Sequence, residues 1–279
     1  MDPRVEIREQ WDAVSTAWQR WQEAYERGGA AVTARLMELA GVRPGQRVLD
    51  VGTGLGEPAL TVARAVGPRG RVVGIDVSDA MVRLARDRAR AAGVSNVDFV
   101  DADAESFFPR ERFDAVLSRW CLMLAPDRAA ILMALRELLV PGGVLAAAVW
   151  GPPATAPMVS LAFPVLTERL ALPPPPPGQP GPYAMADPER CRAELTAAGF
   201  SDVAVVPQDA PFWLAEPAEY ARYARDVLPE RFRQMLRDRY GSADDPQTWD
   251  AVTRLAAART TAGGRVDLTS TALCLRGTA

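Results

Sequence analysis

The stretch VLDVGTGLGEPAL, from Val48 to Leu60, places glycines at positions 52, 54 and 56, directly behind a short apolar run that contains Asp50. Glycine adopts backbone conformations closed to other residues and lets a ligand come close to the main chain. A helix starting near Glu57 would add backbone N–H groups that face such a ligand. The pattern therefore predicts a nucleotide-type site at a bend between a buried strand and a helix.

The glycine spacing separates classes of nucleotide ligand. The dinucleotide fingerprint is G-x-G-x-x-G, whereas this bend reads D-x-G-x-G-x-G and is followed by the negative charge of Glu57, which disfavours a pyrophosphate. Asp76 ends the second predicted strand, where it would accept hydrogen bonds from the hydroxyls of an unphosphorylated ribose. Asp103 ends the third and would accept from an adenine amine. A nicotinamide oxidoreductase is the least favoured function.

Short apolar runs alternate with helical stretches from Arg47 onwards. This alternation is typical of βαβ units, in which helices cover both faces of a mostly parallel sheet. Strands are predicted over 47–51, 71–76, 97–103, 113–118, 143–150, 203–207 and 269–277, and helices over 57–66, 79–92, 127–139 and 187–199.

Helical segments flank this alternating region on both sides. Residues 5–40 carry aromatic residues at three- and four-residue steps, with a break predicted at Gly28-Gly29, and residues 216–262 also look helical. Between them, five consecutive prolines, Pro173 to Pro177, favour an extended linker, or else a flap over the site. The predicted units are an N-terminal helical cap (1–42), a cofactor-binding core (43–150), a proline-rich flap or linker (151–186), a continuation of the core (187–215), a helical insertion acting as an acceptor lid (216–264) and the last core strand (265–279).

Composition narrows the chemistry. The chain has 279 residues, no histidine, and 32 basic residues that are all arginine. Schiff-base chemistry, a Ser-His-Asp triad and a histidine-ligated metal are therefore excluded. The three cysteines, Cys121, Cys191 and Cys274, show no C-x-x-C spacing, so neither a zinc site nor a disulfide framework is expected.

The partners expected from the charge pattern are small molecules. The net charge is −3, with no block of like charges, which disfavours nucleic acid and membrane surfaces as partners. Because no apolar signal core opens the chain and no stretch is long enough to span a bilayer, we expect a cytoplasmic protein. A monomer and a homodimer both stay open.

Five sequence pieces, taken in order, resemble the motifs of the class I S-adenosylmethionine-dependent methyltransferases, in the small-molecule branch related to the ubiquinone and menaquinone methyltransferases. They are VLDVGTGLGEPAL, VVGIDVSDAM, FVDADAESF, FDAVLSRWCLMLAPD and LLVPGGVLAAAVWG. The resemblance implies a Rossmann-like α/β fold with a seven-stranded, mostly parallel sheet whose last strand is antiparallel. It also implies S-adenosyl-L-methionine as cofactor and S-adenosyl-L-homocysteine as product.

The same resemblance implies a set of cofactor-binding residues. Residues of the first motif would border the methionine part of the cofactor, and a carboxylate in the second motif would bind the ribose. The third motif would border the adenine and the fourth would face the sulfonium. The N-terminal aromatic residues would cover the opening of the cofactor site. In that order the residues are Asp50, Gly52, Thr53, Gly54 and Gly56; Asp76 with Val77; Asp103 with Ala104; Ser118 with Arg119; and Trp11 with Trp18. Met81 would pack on the adenine.

The acceptor is expected to be a small, apolar or aromatic, natural-product-type molecule, as in secondary metabolism and antibiotic biosynthesis. Its pocket is predicted to come from the N-terminal helices, the segment after the fifth strand and the insertion 216–262, all near the carboxyl ends of the strands. The aromatics behind this prediction are Phe163, Tyr183, Phe212, Trp213, Tyr220, Tyr223, Phe232 and Tyr240.

No catalytic residue can be assigned from the sequence. A methyl transfer needs alignment more than proton transfer, and a base, if one is used, would be a carboxylate, a tyrosine or a thiolate, with Tyr25, Tyr183, Tyr220, Tyr223 and Cys121 in reach of the pocket. Two alternatives remain beside a methyltransferase. One is a cyclase or pericyclase that keeps the cofactor pocket without methylating, and the other is a protein that senses the cofactor.

Overall fold

The computed structural model describes residues 3–173 and 179–279. Within them, strands are formed by β1 (Arg47–Val51), β2 (Arg71–Asp76), β3 (Val97–Asp101), β4 (Phe113–Arg119), β5 (Leu139–Trp150), β6 (Ser201–Ala210), β7 (Trp213–Leu214), β8 (Val266–Asp267) and β9 (Ser270–Thr278).

One seven-stranded sheet with the order β3-β2-β1-β4-β5-β9-β6 organises the chain. Strands β1 to β5 pair in parallel, and β9 inserts between β5 and β6 antiparallel to both. The Rossmann-like sheet with an antiparallel last strand, predicted above, is confirmed. Residues Val48 to Val51 of the inner strand β1 are all buried, as expected for a strand covered on both faces.

The helices are α1 (Pro3–Ala40), α2 (Ala59–Val66), α3 (Asp79–Ala91), α4 (Arg128–Glu137), α5 (Pro157–Ser160), α6 (Phe163–Leu170), α7 (Pro188–Ala197), α8 (Pro217–Asp226), α9 (Glu230–Tyr240) and α10 (Pro246–Ala257). Side chains cap several of their first turns. The Ser78 hydroxyl accepts from the Met81 N–H at 3.1 Å, and a carboxylate oxygen of Asp127 accepts from the Ala130 N–H at 2.9 Å. Such caps explain why α3 and α4 begin where they do.

The predicted break at Gly28-Gly29 is wrong, because α1 runs through both glycines. These glycines serve close packing. A Cβ atom at Gly28 would lie 2.1 Å from the Phe212 ring, and one at Gly29 would lie 2.6 Å from Nη1 of Arg119. Glycine is needed at both positions because a neighbouring side chain occupies the space of a Cβ atom. Burial of this face stabilises the helix despite the low helix propensity of glycine.

Other boundaries also differ from those predicted. Strand β3 ends at Asp101, so Asp103 lies in the following turn. Helix α2 begins at Ala59, since residues 54–58 form turns. Strand β5 begins at Leu139 and includes the Pro-Gly-Gly run, where the pairing with β4 shifts register. The two-stranded sheet of β7 and β8 has no counterpart among the predictions.

The segments after β5 contain more regular structure than a linker. Helices α5 and α6 lie within the predicted flap, while Pro174 to Pro177 lie outside the described residues. The predicted helical insertion consists of α8, α9 and α10, of which α8 packs against α10. The division of the chain into functional units stays a prediction. Across the described ranges, no helix combines the length and apolarity needed to cross a membrane.

Candidate functional site

A cavity of about 490 Å³ opens at the carboxyl ends of β1, β2 and β4, beneath the first half of α1. Parallel α/β sheets bind ligands at this edge. The walls combine the glycine bend, the turns after β2, β3 and β4, and one face of α1. Residues that line the cavity include Trp11, Trp18, Tyr25, Glu26, Gly52, Thr53, Gly54, Glu57, Asp76, Val77, Met81, Asp103, Ala104, Arg119, Trp120, Cys121, Leu124, Ala125 and Ile131.

The backbone of the glycine bend, residues 52–56, faces this cavity at positions that have no side chain to cover it. Gly52 has a φ of +70° and would place a Cβ atom 2.4 Å from the Cys121 sulfur, so only glycine fits. Gly54 has a φ of +50°, and a Cβ atom there would meet nothing within 4 Å. The bend at Gly54 therefore offers open space beside bare main chain.

Asp76 at the end of β2 is tied to the glycine bend. Its Oδ2 accepts from the Gly54 N–H at 2.8 Å, and its Oδ1 accepts from the Ser78 N–H at 3.0 Å. Each carboxylate oxygen retains a further lone pair for a ligand. The pKa of Asp76 is raised above its ordinary value, because the effect of burial is larger than that of these two hydrogen bonds, which lower the pKa.

Asp50 supports the bend from behind. It is fully buried, and its Oδ2 accepts from the Thr53 hydroxyl at 2.6 Å and from the Ala59 N–H at 3.1 Å. Its Oδ1 has no hydrogen-bond partner among the described residues. Burial raises the pKa of Asp50 to about 7, so this carboxyl group titrates near neutral pH.

Arg119 supplies a cation to the cavity wall, and its guanidinium lies 3.5 Å from the carbonyl of Glu57, the residue after the glycine bend. Its side chain is only 6% exposed, and its guanidinium donates to the Thr33 hydroxyl at 2.9 Å and to Glu26 Oε2 at 3.0 Å. Glu57 also faces the cavity, and burial raises the pKa of its carboxyl group. The ion pair between α1 and β4 joins the helix to the sheet edge beside the cavity.

Trp120, the residue after β4, has an unusual backbone. Its φ of +60° lies in the left-handed region, which costs a bulky residue on the order of 1–3 kcal/mol and is found most often at functional sites. Its N–H donates to the Ala148 carbonyl at 2.7 Å, and its ring stacks on Trp150 with centroids 4.4 Å apart. The indole Nε1 is buried and has no partner among the described residues.

The first half of α1 closes the cavity with aromatic rings. Trp11 lies 6.3 Å from Trp18, and Trp18 meets Tyr25 edge-on at 4.5 Å. Asp12 fixes this part of the helix, since its Oδ1 accepts from the Ala80 N–H at 3.2 Å and from the Ser78 hydroxyl. The helix is thereby docked on the first turn of α3.

The cavity brings together most of the cofactor-binding residues that the sequence predicts: Gly52, Thr53, Gly54, Asp76, Val77, Met81, Asp103, Ala104, Arg119, Trp11 and Trp18. Three predicted residues do not line it. Asp50 and Gly56 lie behind the bend, where a Cβ atom at Gly56 would pack 3.3 Å from Ala85, and the Ser118 hydroxyl donates to the Val51 carbonyl at 2.9 Å. Their place is structural support for the bend.

The aromatic residues predicted to form the acceptor pocket lie outside this cavity. Among the described residues, nothing beyond Ile131 lines this cavity, so the aromatics predicted there from 163 to 240 do not. Tyr220 and Tyr223 are buried core residues instead. Of the candidate bases, Tyr25 and Cys121 do line it, but burial raises the pKa of the Cys121 thiol to about 12 and also raises the pKa of the Tyr25 hydroxyl. Both groups are therefore protonated at neutral pH.

Sequence reasoning missed Glu26 and Trp120 as cavity residues, while it placed the charge of Glu57 beside the ligand without assigning it to the site. Glu26 follows Tyr25 on α1, and a charged residue beside an aromatic stripe was the one signal for it. Nothing local indicates the strained backbone of Trp120. Across the described ranges, no group of three or more His, Cys, Asp or Glu side chains is arranged to hold a metal ion.

The residues fit a nucleoside linked to an amino acid. The open space at Gly54 would take the part of the ligand that lies against the main chain, and the Asp76 carboxylate oxygens are acceptors for ribose hydroxyls. The negative charges of Glu57 and Asp76 on either side of the bend oppose a diphosphate. An adenine ring fits the apolar contact offered by Met81 and Ala104.

Comparisons with known proteins match part of this chain to methyltransferases. Residues 43–155 match the family model described as a methyltransferase domain. The ubiquinone/menaquinone biosynthesis C-methyltransferase UbiE of Pseudomonas putida is 42% identical over 111 residues, which cover 39% of this chain and 43% of the relative. The chain thus spans less than half the length of the curated relatives that it matches.

Two solved structures share the fold over most of the chain. The [4+2]-cyclase SpnF is 25% identical, with a TM-score of 0.52, and the match covers 88% of this chain and 80% of that protein. A phosphoethanolamine N-methyltransferase of Haemonchus contortus, solved with S-adenosylhomocysteine, is 18% identical with a TM-score of 0.56, covering 95% of this chain and 59% of that one.

The motifs, the sheet order and the matched family model lead to one assignment. Residues 43–155 form a class I S-adenosylmethionine-dependent methyltransferase domain related to the ubiquinone/menaquinone C-methyltransferases.

Proposed function

We propose that this protein transfers a methyl group from S-adenosyl-L-methionine to a small, apolar, ring-containing acceptor. The observation that carries the proposal is the composition of one cavity, in which a bare glycine bend and Asp76 face an apolar wall of Leu124, Ala125 and Ile131. The polar end suits the cofactor and the apolar end suits the acceptor. The relatives named for ubiquinone and menaquinone biosynthesis support a ring-type acceptor, and a natural-product ring belongs to the same class.

The side chains of the cavity contribute alignment and exclusion of water. When bound, the cofactor supplies the methyl group together with its own leaving group. Asp76 and the bend would fix the nucleoside, while Arg119, held by Glu26 and Thr33, stays in place beside the reacting end. Holding two reactants in line removes on the order of 7–11 kcal/mol from the barrier, so a base is not required.

Closure of α1 over the cavity supports the exclusion of water. Trp11 and Trp18 cover the opening, and their π faces would attract a sulfonium cation. Desolvation strengthens the electrostatic interactions inside such a site. The N-terminal cap is therefore proposed as part of the catalytic unit, together with the core.

The test is methyl transfer by the full chain. The protein would be incubated with methyl-labelled cofactor and a panel of phenols, hydroxynaphthalenes and hydroquinones, and labelled products would be counted. We expect label in at least one ring acceptor, and about ten- to hundredfold less with Asp76→Ala when the cofactor is kept below saturation. If S-adenosylhomocysteine binds but no acceptor in the panel is labelled, the proposed transfer to ring acceptors is refuted.

A second candidate is a cyclase that keeps the cofactor without using it, and the likeness to the [4+2]-cyclase SpnF favours it. Such an activity would depend on the shape of the apolar wall and not on transfer of the methyl group. Formation of an isomer of the acceptor without label, at equal rates with methyl-labelled cofactor and with S-adenosylhomocysteine, would support the cyclase over the methyltransferase.

A further inference from the structure

We propose that Asp12, on the helix that covers the cavity, is a positioning residue that holds Asp76 in place for the ribose of the cofactor. The inference deepens the proposed function and rests on it, because it concerns the same cofactor site. Asp12 does not line the cavity, so it would act through its hydrogen-bond partners and without touching the ligand.

Ser78 connects the two acids. Its backbone N–H donates to Asp76 Oδ1 at 3.0 Å, and its hydroxyl donates to Asp12 Oδ1 and accepts from the Met81 N–H at 3.1 Å. A serine hydroxyl has one hydrogen to donate, so the bond to Asp12 fixes the rotation of this group. Ser78 is fully buried, and loss of Asp12 would leave its hydroxyl hydrogen without this acceptor in a place closed to solvent.

Asp12 also completes the first turn of α3. Its Oδ1 accepts from the Ala80 N–H at 3.2 Å, one of the N–H groups for which a helix has no internal partner. The Ser78 hydroxyl caps the next N–H group, that of Met81. Two successive N–H groups of α3 are therefore held by side chains from two different elements, and the Asp12 carboxylate lies at the positive end of the helix dipole.

Asp76 is restrained at both carboxylate oxygens. The Gly54 N–H holds Oδ2 at 2.8 Å from the glycine bend, and the Ser78 N–H holds Oδ1 from the start of α3. A carboxylate fixed in this way presents its remaining lone pairs in defined directions, which suits the two neighbouring hydroxyls of a ribose. Because Asp12 fixes the turn that contains Ser78, it would control one of the two restraints.

The hydrogen bonds of Asp12, and not its charge, would carry this role. Burial is the largest cause of the raised pKa of Asp76, and the negative charges of Asp101 and Asp12 raise that pKa further. The charge of Asp12 therefore disfavours the carboxylate form of Asp76. An asparagine at position 12 would lack this charge and keep an oxygen that accepts from Ser78 and Ala80.

Asp226 provides a matched control, because it docks the same helix by another route. Its Oδ2 accepts from Arg20 Nη1 at 2.7 Å and from Trp21 Nε1 at 3.0 Å, which gives it two hydrogen bonds to α1 on one oxygen. Asp226 lies at the end of α8 and does not line the cavity. A residue that only held α1 over the cavity would behave as Asp226 does.

The test is calorimetric binding of S-adenosylhomocysteine to the full chain, with thermal unfolding to show that each variant is folded. The single variants are Asp12→Ala, Asp12→Asn, Asp12→Glu, Asp76→Ala and Asp226→Ala, and Asp12→Ala is also combined with Asp76→Ala. Asparagine keeps the acceptor at the same distance from the backbone without the charge. Glutamate keeps the charge and moves the acceptor by one methylene group.

We expect the affinity to fall about three- to tenfold in Asp12→Ala and in Asp12→Glu, as for the loss of one hydrogen bond. It should stay within about twofold of the native value in Asp12→Asn and in Asp226→Ala. In the chain that carries Asp76→Ala, the further change Asp12→Ala should cost less than about twofold, because the acid through which it acts is gone.

Native affinity in both Asp12→Ala and Asp12→Glu would overturn the inference. An undiminished effect of Asp12→Ala in the Asp76→Ala chain, or an equal loss in Asp226→Ala, would also overturn it, since Asp12 would then only hold the helix. If Asp12→Ala does not fold, equal affinities of the asparagine and glutamate variants have the same meaning.

The proposed function stands in all these cases if Asp76→Ala still weakens binding, and only the role of Asp12 is refuted. If the native protein does not bind S-adenosylhomocysteine, or if Asp76→Ala binds it as tightly as the native protein does, the cofactor site itself is wrong. The inference then fails with it.

Discussion

The backbone N–H of Gly54 donates to the carboxylate of Asp76 at 2.8 Å, and this contact joins the two parts of the sequence that predict a nucleoside site. One part is the bare bend after β1 and the other is the acid at the end of β2. Their contact fixes the bend next to the carboxylate oxygens that would hold a ribose.

Replacement of Asp76 tests the polar end of the cavity. We expect Asp76→Ala to weaken S-adenosylhomocysteine binding about ten- to hundredfold, since hydrogen bonds to a charged acceptor contribute about 1.5–3 kcal/mol. Calorimetry measures the change. The control is Asp79→Ala, an acid three residues on that pairs with Arg83 and does not line the cavity. Equal affinities of the two variants would contradict the role of Asp76.

A methyl group at Gly54 tests the open space beside the bend. Gly54→Ala should lower stability by about 1 kcal/mol, because φ is +50°, and should also weaken cofactor binding. Gly241→Ala is a matched control at a φ of +80°, with nothing within 4 Å of its Cβ position, and Gly241 does not line the cavity. We expect the control to share the loss of thermal stability and to retain full affinity for S-adenosylhomocysteine. Full affinity in Gly54→Ala as well would show that no ligand lies there.

The buried Asp50 predicts a dependence of stability on pH. Its folded-state pKa of about 7 exceeds the unfolded value near 3.8, so the folded protein binds the extra proton between these limits. Stability contributed by this group is complete at low pH and is lost as the pH rises from about 4 to 7, by on the order of 4 kcal/mol.

Denaturant unfolding at pH 5 and pH 8 measures this dependence for the native protein and for Asp50→Asn. The amide oxygen can still accept from Ala59 and Thr53, so the variant should fold. We expect the native protein to lose more stability than Asp50→Asn between the two pH values. An equal loss would mean that Asp50 ionises in the folded protein much as it does in the unfolded chain.

The contact between α1 and Phe212 predicts an effect opposite in sign to helix propensity. Alanine in a helix is normally favoured over glycine by about 1 kcal/mol, but a Cβ atom at Gly28 would lie 2.1 Å from the Phe212 ring. Gly28→Ala should therefore destabilise the protein by about 1–3 kcal/mol.

Phe212→Leu in the same chain makes space for the new methyl group, and the double variant should recover part of that loss. Thermal unfolding of the four members of the cycle gives the coupling. Stabilisation by Gly28→Ala alone would contradict the close packing of α1 against this ring.

The sheet was predictable because its signal is local. The runs around Leu49, Val73 and Leu117 are short, apolar and separated by turn residues, so the positions of these strands along the chain follow from the sequence. The antiparallel last strand was expected only from the resemblance to the family. The path of α1 was not predictable, since glycine pairs usually end helices and the reason for this pair is a ring that lies far along the chain.

The candidate site also has one part that could be predicted from the sequence and one part that could not. Glycines and acidic residues at strand ends, such as Gly54 and Asp76, indicate a ligand-binding site from the sequence alone. The acceptor side depends on tertiary packing, which buries Tyr220 and Tyr223 in the core and leaves Trp120 and Leu124 on the cavity wall. Aromatic residues occur both in protein cores and on cavity walls, so composition alone could not show which aromatic residues line the cavity.

The most direct test of the central claim is a crystal structure of the full chain grown with S-adenosylhomocysteine. The account predicts ribose hydroxyls within hydrogen-bond distance of Asp76, the amino-acid chain along residues 52–54 and adenine against Met81. Density for this ligand elsewhere on the protein, or a cavity that takes a diphosphate against the bend in its place, would contradict it.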